Sequence, residues 1–168
     1  PQGIIGLSWD MTGLCLNQTL DFGYIVDHPE GFPLGPNGEI HAWNVTALSA
    51  NKKLTWDFVL AHPNGFNGQG WCMENLSANS CLNFDYVRQH PEGFAGEKWN
   101  MRALSRNKKL NWTLVEEYPQ GLNGNPWQMN FLSLNPILTL DFVLKHPQGF
   151  GAPWKMYFLA AHPNIDPN

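Results

Sequence analysis

Charge is scarce in this chain. Asp, Glu, Lys and Arg make up 14% of its 168 residues, against 43% hydrophobic residues. The apolar share suffices for a core in a chain whose length would suit one ordinary domain. A surface short of charge points to contacts with other molecules, and Asn, Gln, Ser and Thr supply the rest of the polarity. Cysteine is scarcer still. Cys15, Cys72 and Cys81 form an odd set with no Cys-x-x-Cys pair, which argues against a disulfide framework and a zinc site. A reducing compartment is expected on the same ground. Basic excess is missing as well: the net charge is −4 and the pI about 5.8. A general binder of phosphate backbones needs a basic footprint. No apolar run approaches the roughly 18 residues that span a bilayer. No signal peptide is visible, and the chain starts at Pro1 without a methionine.

What the sequence has is a repeat, and a repeat fixes architecture before any other feature does. Trp9, Trp43, Trp71, Trp99, Trp127 and Trp154 are separated by 34, 28, 28, 28 and 27 residues. Aligned on them, the chain reads W-x-M-x-x-L-S-x-N-x-x-L-[TND]-[WFL]-x-[FYL]-V-x-x-H-P-x-G-F and then a short linker. Met11, Met73, Met101, Met129 and Met156 hold the third position, and they are all the methionines of the chain. Asn17, Asn51, Asn79, Asn107 and Asn135 hold the ninth. His28, His62, His90 and His146 hold the twentieth, where Tyr118 replaces one, and a proline always follows. The expected organisation is a single array over 1–168. It comprises a partial unit 1–8, repeats 9–42, 43–70, 71–98, 99–126 and 127–153, and a partial unit 154–168. Neither end resembles the polar cap that a solenoid needs. The array is therefore expected to continue past one or both ends, or to be covered there by a partner.

The fold class expected is all-α, an α-solenoid of 28-residue helix-turn-helix repeats with five full repeats and partial ends. The segment from Trp99 to Arg106 carries apolar residues at helical spacings. Pro126 and Pro153 stand just before a tryptophan, which suggests the first position of a helix. The ninth-position asparagine suggests a helix stop in the left-handed conformation. Asp21, Thr55, Asn83, Asn111 and Thr139 hold the thirteenth position, and all are preferred N-caps. The His-Pro pair ends the second helix, because a residue before proline disfavours the helical region. Glycine then makes the turn and a phenylalanine folds back on the hairpin. Helices of about seven or eight residues are marginal alone, so stability must come from neighbouring repeats.

Several features invite a chemical reading. The Trp and Met columns fit a stacking platform less well than a core ladder with Met as an adaptable filler. Trp56 and Trp112, at the fourteenth position, are less regular and are candidates for the surface. Neighbouring histidines of one column would stand about 9–10 Å apart by helix packing. Ligands of a shared metal lie about 2 Å from it, so no metal and no cofactor are expected. The asparagine amides are expected to satisfy loop backbone groups. No serine has a recurring His and acid at triad spacing, so no catalytic residues are assigned. The sequons at Asn17, Asn44, Asn75 and Asn111 fall where the repeat needs Asn or Ser anyway. Two contact candidates remain. One is the enlarged linker before Trp43, with Pro33, Leu34, Pro36, Asn37, Glu39 and His41, since insertions in repeat arrays map to loops on one face. The other is basic: Lys52, Lys53, Arg106, Lys108 and Lys109, with Arg102 nearby, in the loops of alternate repeats.

The stretches Trp127 to Val143 (WQMNFLSLNPILTLDFV), Trp99 to Val115 and His162-Pro163-Asn164-Ile165 resemble a known pattern. It is that of the tryptophan-containing tandem repeats of giant nucleocytoplasmic DNA viruses, approximately W-x-W-x-x-L-S-x-N-P-x-I-T-x-x-x-V. The resemblance covers essentially the whole chain. Here Met replaces the second aromatic, and among the repeat asparagines only Asn135 keeps its proline, Pro136. The resemblance implies a viral origin, as a virion component or a host-interaction protein in the virion or host cytoplasm, and implies no catalytic residues. The function expected is thus a non-enzymatic scaffold for protein–protein contacts. Its partners would be other proteins, further repeats of the same polypeptide, or capsid proteins, with no membrane span. The alternative is a modular single-stranded nucleic-acid binder reading one base per unit, which the net acidity opposes.

Overall fold

The structure is a computed structural model that describes residues 10–34 and 39–165. Among the described residues are eleven short helices and one two-stranded sheet. In chain order they are α1 (Met11–Leu16), α2 (Phe22–Asp27), β1 (Phe32–Leu34), β2 (Glu39–His41), α3 (Val45–Ala50) and α4 (Trp56–Ala61), followed by α5 (Met73–Ala78), α6 (Phe84–Gln89), α7 (Met101–Arg106), α8 (Trp112–Glu117), α9 (Met129–Leu132), α10 (Leu140–Lys145) and α11 (Met156–Ala160). The chain divides into two compact units, Pro1–Cys81 and Leu82–Asn168. The division falls inside the repeat 71–98.

Side-chain caps open most of the helices; α5, α9 and α11 start without one. The thirteenth-position residues behave as expected: Asp21 accepts from Gly23 N–H, Thr55 from Phe58, Asn111 from Thr113 and Thr139 from Phe142. Each satisfies a backbone donor that the helix leaves without a partner. The first helix of each repeat starts later than the sequence suggests. The residue after tryptophan is the N-cap, with Asp10, Asn44 and Asn100 accepting from Thr12, Ala47 and Ala103. Tryptophan therefore stands outside the helix, and Pro126 and Pro153 are not first helical residues. Most helices span only six residues. The asparagine stop also differs from expectation. Asn17, Asn51 and Asn107 are extended, with φ between −66° and −65°, and the backbone N–H of each closes the helix on the carbonyl of Leu14, Leu48 or Leu104 without a left-handed residue. His62 and His146 end their helices with φ −128° and −124°.

The all-α expectation is corrected by the linkers. In three repeats the linker is a minimal hairpin, with bridges Phe66↔Gln69, Phe94↔Glu97 and Leu122↔Asn125. Its two central residues both have positive φ, for example Asn67 (54°) and Gly68 (71°). That is the type I′ turn whose twist matches paired strands. The linker before Trp43 is the same hairpin grown longer. Phe32↔His41 occupies the place of Phe66↔Gln69, and the added residues extend the ladder through Pro33↔Ile40 and Leu34↔Glu39. The glycine that opens each hairpin is obligatory. A Cβ on Gly65 or Gly121 would collide with the carbonyl oxygen of Gln69 or Asn125, and both have positive φ (68° and 91°).

The tryptophan column is core: Trp43, Trp71, Trp99, Trp127 and Trp154 are all buried. Leu48, Leu76, Leu104 and Leu132 of the sixth position are wholly buried, as are Ile25, Val59, Val87 and Val115 of the seventeenth. The methionine column is not uniform. Met101 and Met129 are buried, whereas Met156 is 71% exposed beside Tyr157 at 82%. Of the two irregular tryptophans, Trp56 is buried and Trp112 half-buried, its ring 4.5 Å from that of Phe142.

Candidate contact surfaces

Within each unit, polar side chains tie one repeat to the next, and this sets which groups remain for a partner. In the column from Trp43 to Trp154, each indole N–H donates to the carbonyl that ends the preceding helix. Trp43 bonds His28 O at 2.7 Å, Trp71 bonds His62 O at 2.7 Å, and Trp99 bonds His90 O at 2.7 Å. Trp127 bonds Tyr118 O at 2.7 Å and Trp154 bonds His146 O at 2.6 Å. The acceptor is backbone, so Tyr118 replaces histidine without loss. The asparagine amides do more than satisfy their own loop. Asn135 accepts from Ile137 N–H at 3.2 Å and donates backward to Ser105 O at 2.9 Å and Asn107 O at 3.0 Å. Asn51 and Asn79 reach the matching carbonyls of Cys15 and Asn17, and of Ser49 and Asn51.

The serine column is used in both directions. Ser49 and Ser105 donate to Val45 O and Met101 O at 2.7 Å. Their oxygens accept from the backbone N–H of Cys72 at 3.0 Å and Gln128 at 3.1 Å in the following repeat. Cys15 stands in the same column. Its sulfur accepts from the Asn44 backbone, while burial pushes the thiol above its ordinary pKa. In the last unit His162 takes the asparagine place. Its Nε2 lies 2.9 Å from Asn135 O, so it carries the proton, and Nδ1 accepts from Asn164 N–H at 3.2 Å. The imidazole thus supplies one donor and one acceptor, as an amide does. Among the described residues no group of three His, Cys, Asp or Glu side chains is placed to hold a metal.

The enlarged hairpin presents Pro33, Glu39 and Ile40 to solvent, with His41 half-buried. Leu34 pairs with Glu39 through the backbone, and Pro36 and Asn37 lie outside the described residues.

The basic candidates divide into two settings. Lys52 and Lys53 are exposed at the end of α3, beside an open groove of about 360 Å³ lined by Ala50, Lys52, Asn75, Ala78, Asn79 and Ser80. Lys108 and Lys109 follow α7 in the same register. There the neighbouring positions hold Arg102 and Arg106, both exposed and both on α7 rather than in the loop. The Arg102 guanidinium lies over the Phe131 ring at 5.1 Å and that of Arg106 at 5.5 Å. Each is within reach of an attractive cation–aromatic interaction. Residues 98–115 carry five cations and no acid.

No family model, curated protein or solved structure matches the chain.

One ion-paired cluster centres on Glu116. Glu116 accepts from Lys145 Nζ at 2.7 Å and from His146 Nε2 at 2.8 Å. The Lys145 ammonium and then the His146 ring hold its carboxyl below the ordinary carboxylate range. His28 and His90 face Glu30 and Glu92 of their own hairpins at 3.6 and 3.2 Å. His28, His90 and His146 thus each meet a single carboxylate. The sequence reading missed Phe131 as the seat of two arginines. The signal lay in the spacing: Arg102 and Arg106 are four apart, and neighbours at that spacing share a helix face.

Proposed function

We propose that the chain is an α-solenoid of 28-residue helix-turn-helix repeats that acts as a non-enzymatic scaffold for protein–protein contacts. Its resemblance to the tryptophan repeats of giant viruses extends the proposal to a component of a large DNA virus particle. One observation carries the scaffold reading: the hydroxyls and amides that chemistry would need are occupied in joining repeats. The hydroxyls of Ser49 and Ser105 each donate once and accept once. The Asn135 amide is bonded on both sides. The tenth and eleventh positions vary, holding Gln18-Thr19, Lys52-Lys53, Ser80-Cys81, Lys108-Lys109 and Pro136-Ile137. Helical repeat proteins recognise partners through such extended, variable surfaces.

Cross-linking of the native assembly, read by mass spectrometry, tests the proposal. Cross-links from Lys52, Lys53, Lys108 and Lys109 to a second polypeptide are expected. A chain cross-linked only to itself at its native concentration would contradict the scaffold. Salt-sensitive binding of random single-stranded nucleic acid, with no protein cross-links, would favour the base-reading alternative.

A further inference from the structure

The two lysine pairs look equivalent in sequence, and the structure sets them in different company. We propose that the surface formed by Arg102, Arg106, Lys108, Lys109 and Phe131 binds a short acidic polypeptide segment, with the two arginines gripping its carboxylates. The proposal rests on the scaffold reading and names the partner class for one of its surfaces.

Four observations support it. The first is charge. Between Glu97 and Glu116 the chain carries Lys98, Arg102, Arg106, Lys108 and Lys109 without an acid. The first 81 residues hold two of the ten cations and seven of the fourteen acids. The cationic surface is thus local to a chain that is acidic as a whole. A short acidic segment matches a cationic stretch of this length.

The second observation is preorganisation. A guanidinium on a long exposed side chain ordinarily loses rotamer freedom when it binds. Contact of both forks with Phe131, at 5.1 and 5.5 Å, restrains that freedom beforehand. Planar forks held in place suit bidentate capture of carboxylates, which point-charge lysines do not provide.

The third observation selects between two polyanions. A single-stranded nucleic acid binds such a surface by stacking bases on aromatic faces. Phe131 is half-buried, and two guanidiniums already lie over its ring. The ring is therefore committed to holding the arginines and offers no stacking platform. The fourth is a cleft of about 300 Å³ beside Arg102, to which the half-buried Asn125 and the exposed Gln128 contribute amides. Amides suit an extended peptide, because they donate to its carbonyls and accept from its N–H groups.

Lys52 and Lys53 provide the internal control. At the places of Arg102, Arg106 and Phe131 the earlier repeats have Thr46, Ala50 and Asn75, and the groove there is open. That loop has cations without forks and without an aromatic seat.

The test is fluorescence anisotropy on the full chain with a labelled Glu-rich octapeptide, and with a labelled oligonucleotide of equal charge. The expected result is salt-sensitive peptide binding, tighter than oligonucleotide binding. R102A/R106A should weaken it by about tenfold or more, the order seen when charged partners across an interface are removed. R102K/R106K keeps the charge and should still weaken it, while K52A/K53A should leave it within about twofold. Undetectable peptide binding, tighter oligonucleotide binding, or full binding by R102K/R106K would overturn the proposal. Circular dichroism of each variant identifies any that fail to fold. Both arginines are exposed, so F131L is a second route to the same surface that removes the aromatic seat and keeps the charge. Failure here with cross-links retained elsewhere rejects this surface alone. Loss of cross-links throughout rejects the scaffold.

Discussion

Trp43 to Ser80 and Trp99 to Pro136 are the same framework with different edges. In both, an indole reaches back to the preceding helix end, a serine hydroxyl bridges to the next N-cap, and an asparagine amide spans two backbones. At the edge the first stretch has Thr46, Ala50 and Asn75 around an open groove, and the second has Arg102, Arg106 and Phe131 in mutual contact. The inward columns are constrained by backbone groups that must find partners. The outward columns are not, and recognition is expected to reside there.

The comparison can be broken most severely at the hairpin glycines. G65A in the first stretch and G121A in the second each force a Cβ into a carbonyl oxygen, at a backbone conformation that L residues rarely adopt. Each should lower stability by about 3 kcal/mol or more in urea unfolding, the scale of strained-backbone and overpacking defects. A large loss for one and none for the other would mean that the two stretches do not share a framework. N79A and N135A come next. Each leaves buried carbonyls and a loop N–H without their partner, at an expected cost of about 2–3 kcal/mol, and peptide affinity should survive wherever the variant folds. W71F and W127F keep an aromatic ring and remove the indole donor. Losses of about 1–2 kcal/mol are expected, similar in both stretches.

The smallest expected effect sharpens the contrast instead of breaking it. Glu116 occupies the position held by Leu60 in the earlier repeat. Bonds from Lys145 and His146 lower its folded pKa from the ordinary 4.5. A lowered folded value means that the contribution is present above the ordinary value and lost as pH falls through the folded one. E116Q is expected to lose this small contribution near neutral pH and to converge with the parent chain as pH falls through the folded value, in unfolding titrations at successive pH values. An unchanged acid limb would show that the cluster contributes nothing.

Much of the framework was legible in the sequence. The indole spacing gave the period, and the thirteenth-position residues announced their capping role because an oxygen-bearing side chain there has one obvious use. The hairpins were legible and overlooked. Asn67-Gly68 and Asn123-Gly124 are dipeptides of the I′ turn, but a two-residue pairing between helical segments leaves no periodicity of its own. The asparagine column was read as local, since one repeat taken alone cannot reveal that Nδ2 reaches carbonyls about 30 residues earlier. In the sequence, His162 resembles only the Asn of an Asn-Pro-x-Ile motif, as His162-Pro163-Asn164-Ile165. Its use as an amide substitute depends on two backbone groups that only the fold brings near. For the contact surface, the charges were visible in the sequence and their setting was not, because the ring that holds Arg102 and Arg106 comes from the next repeat.

The central claim is that each repeat is fastened to its predecessor by an indole N–H on a helix-ending carbonyl. Hydrogen exchange of the indole Nε1–H groups, followed by NMR and assigned with single Trp→Phe variants, tests it directly. The account predicts slow exchange for Trp43, Trp71, Trp99, Trp127 and Trp154, each protected by a bond of 2.6–2.7 Å. Exchange of Trp71, Trp99 or Trp127 at the rate of an indole open to water would contradict it.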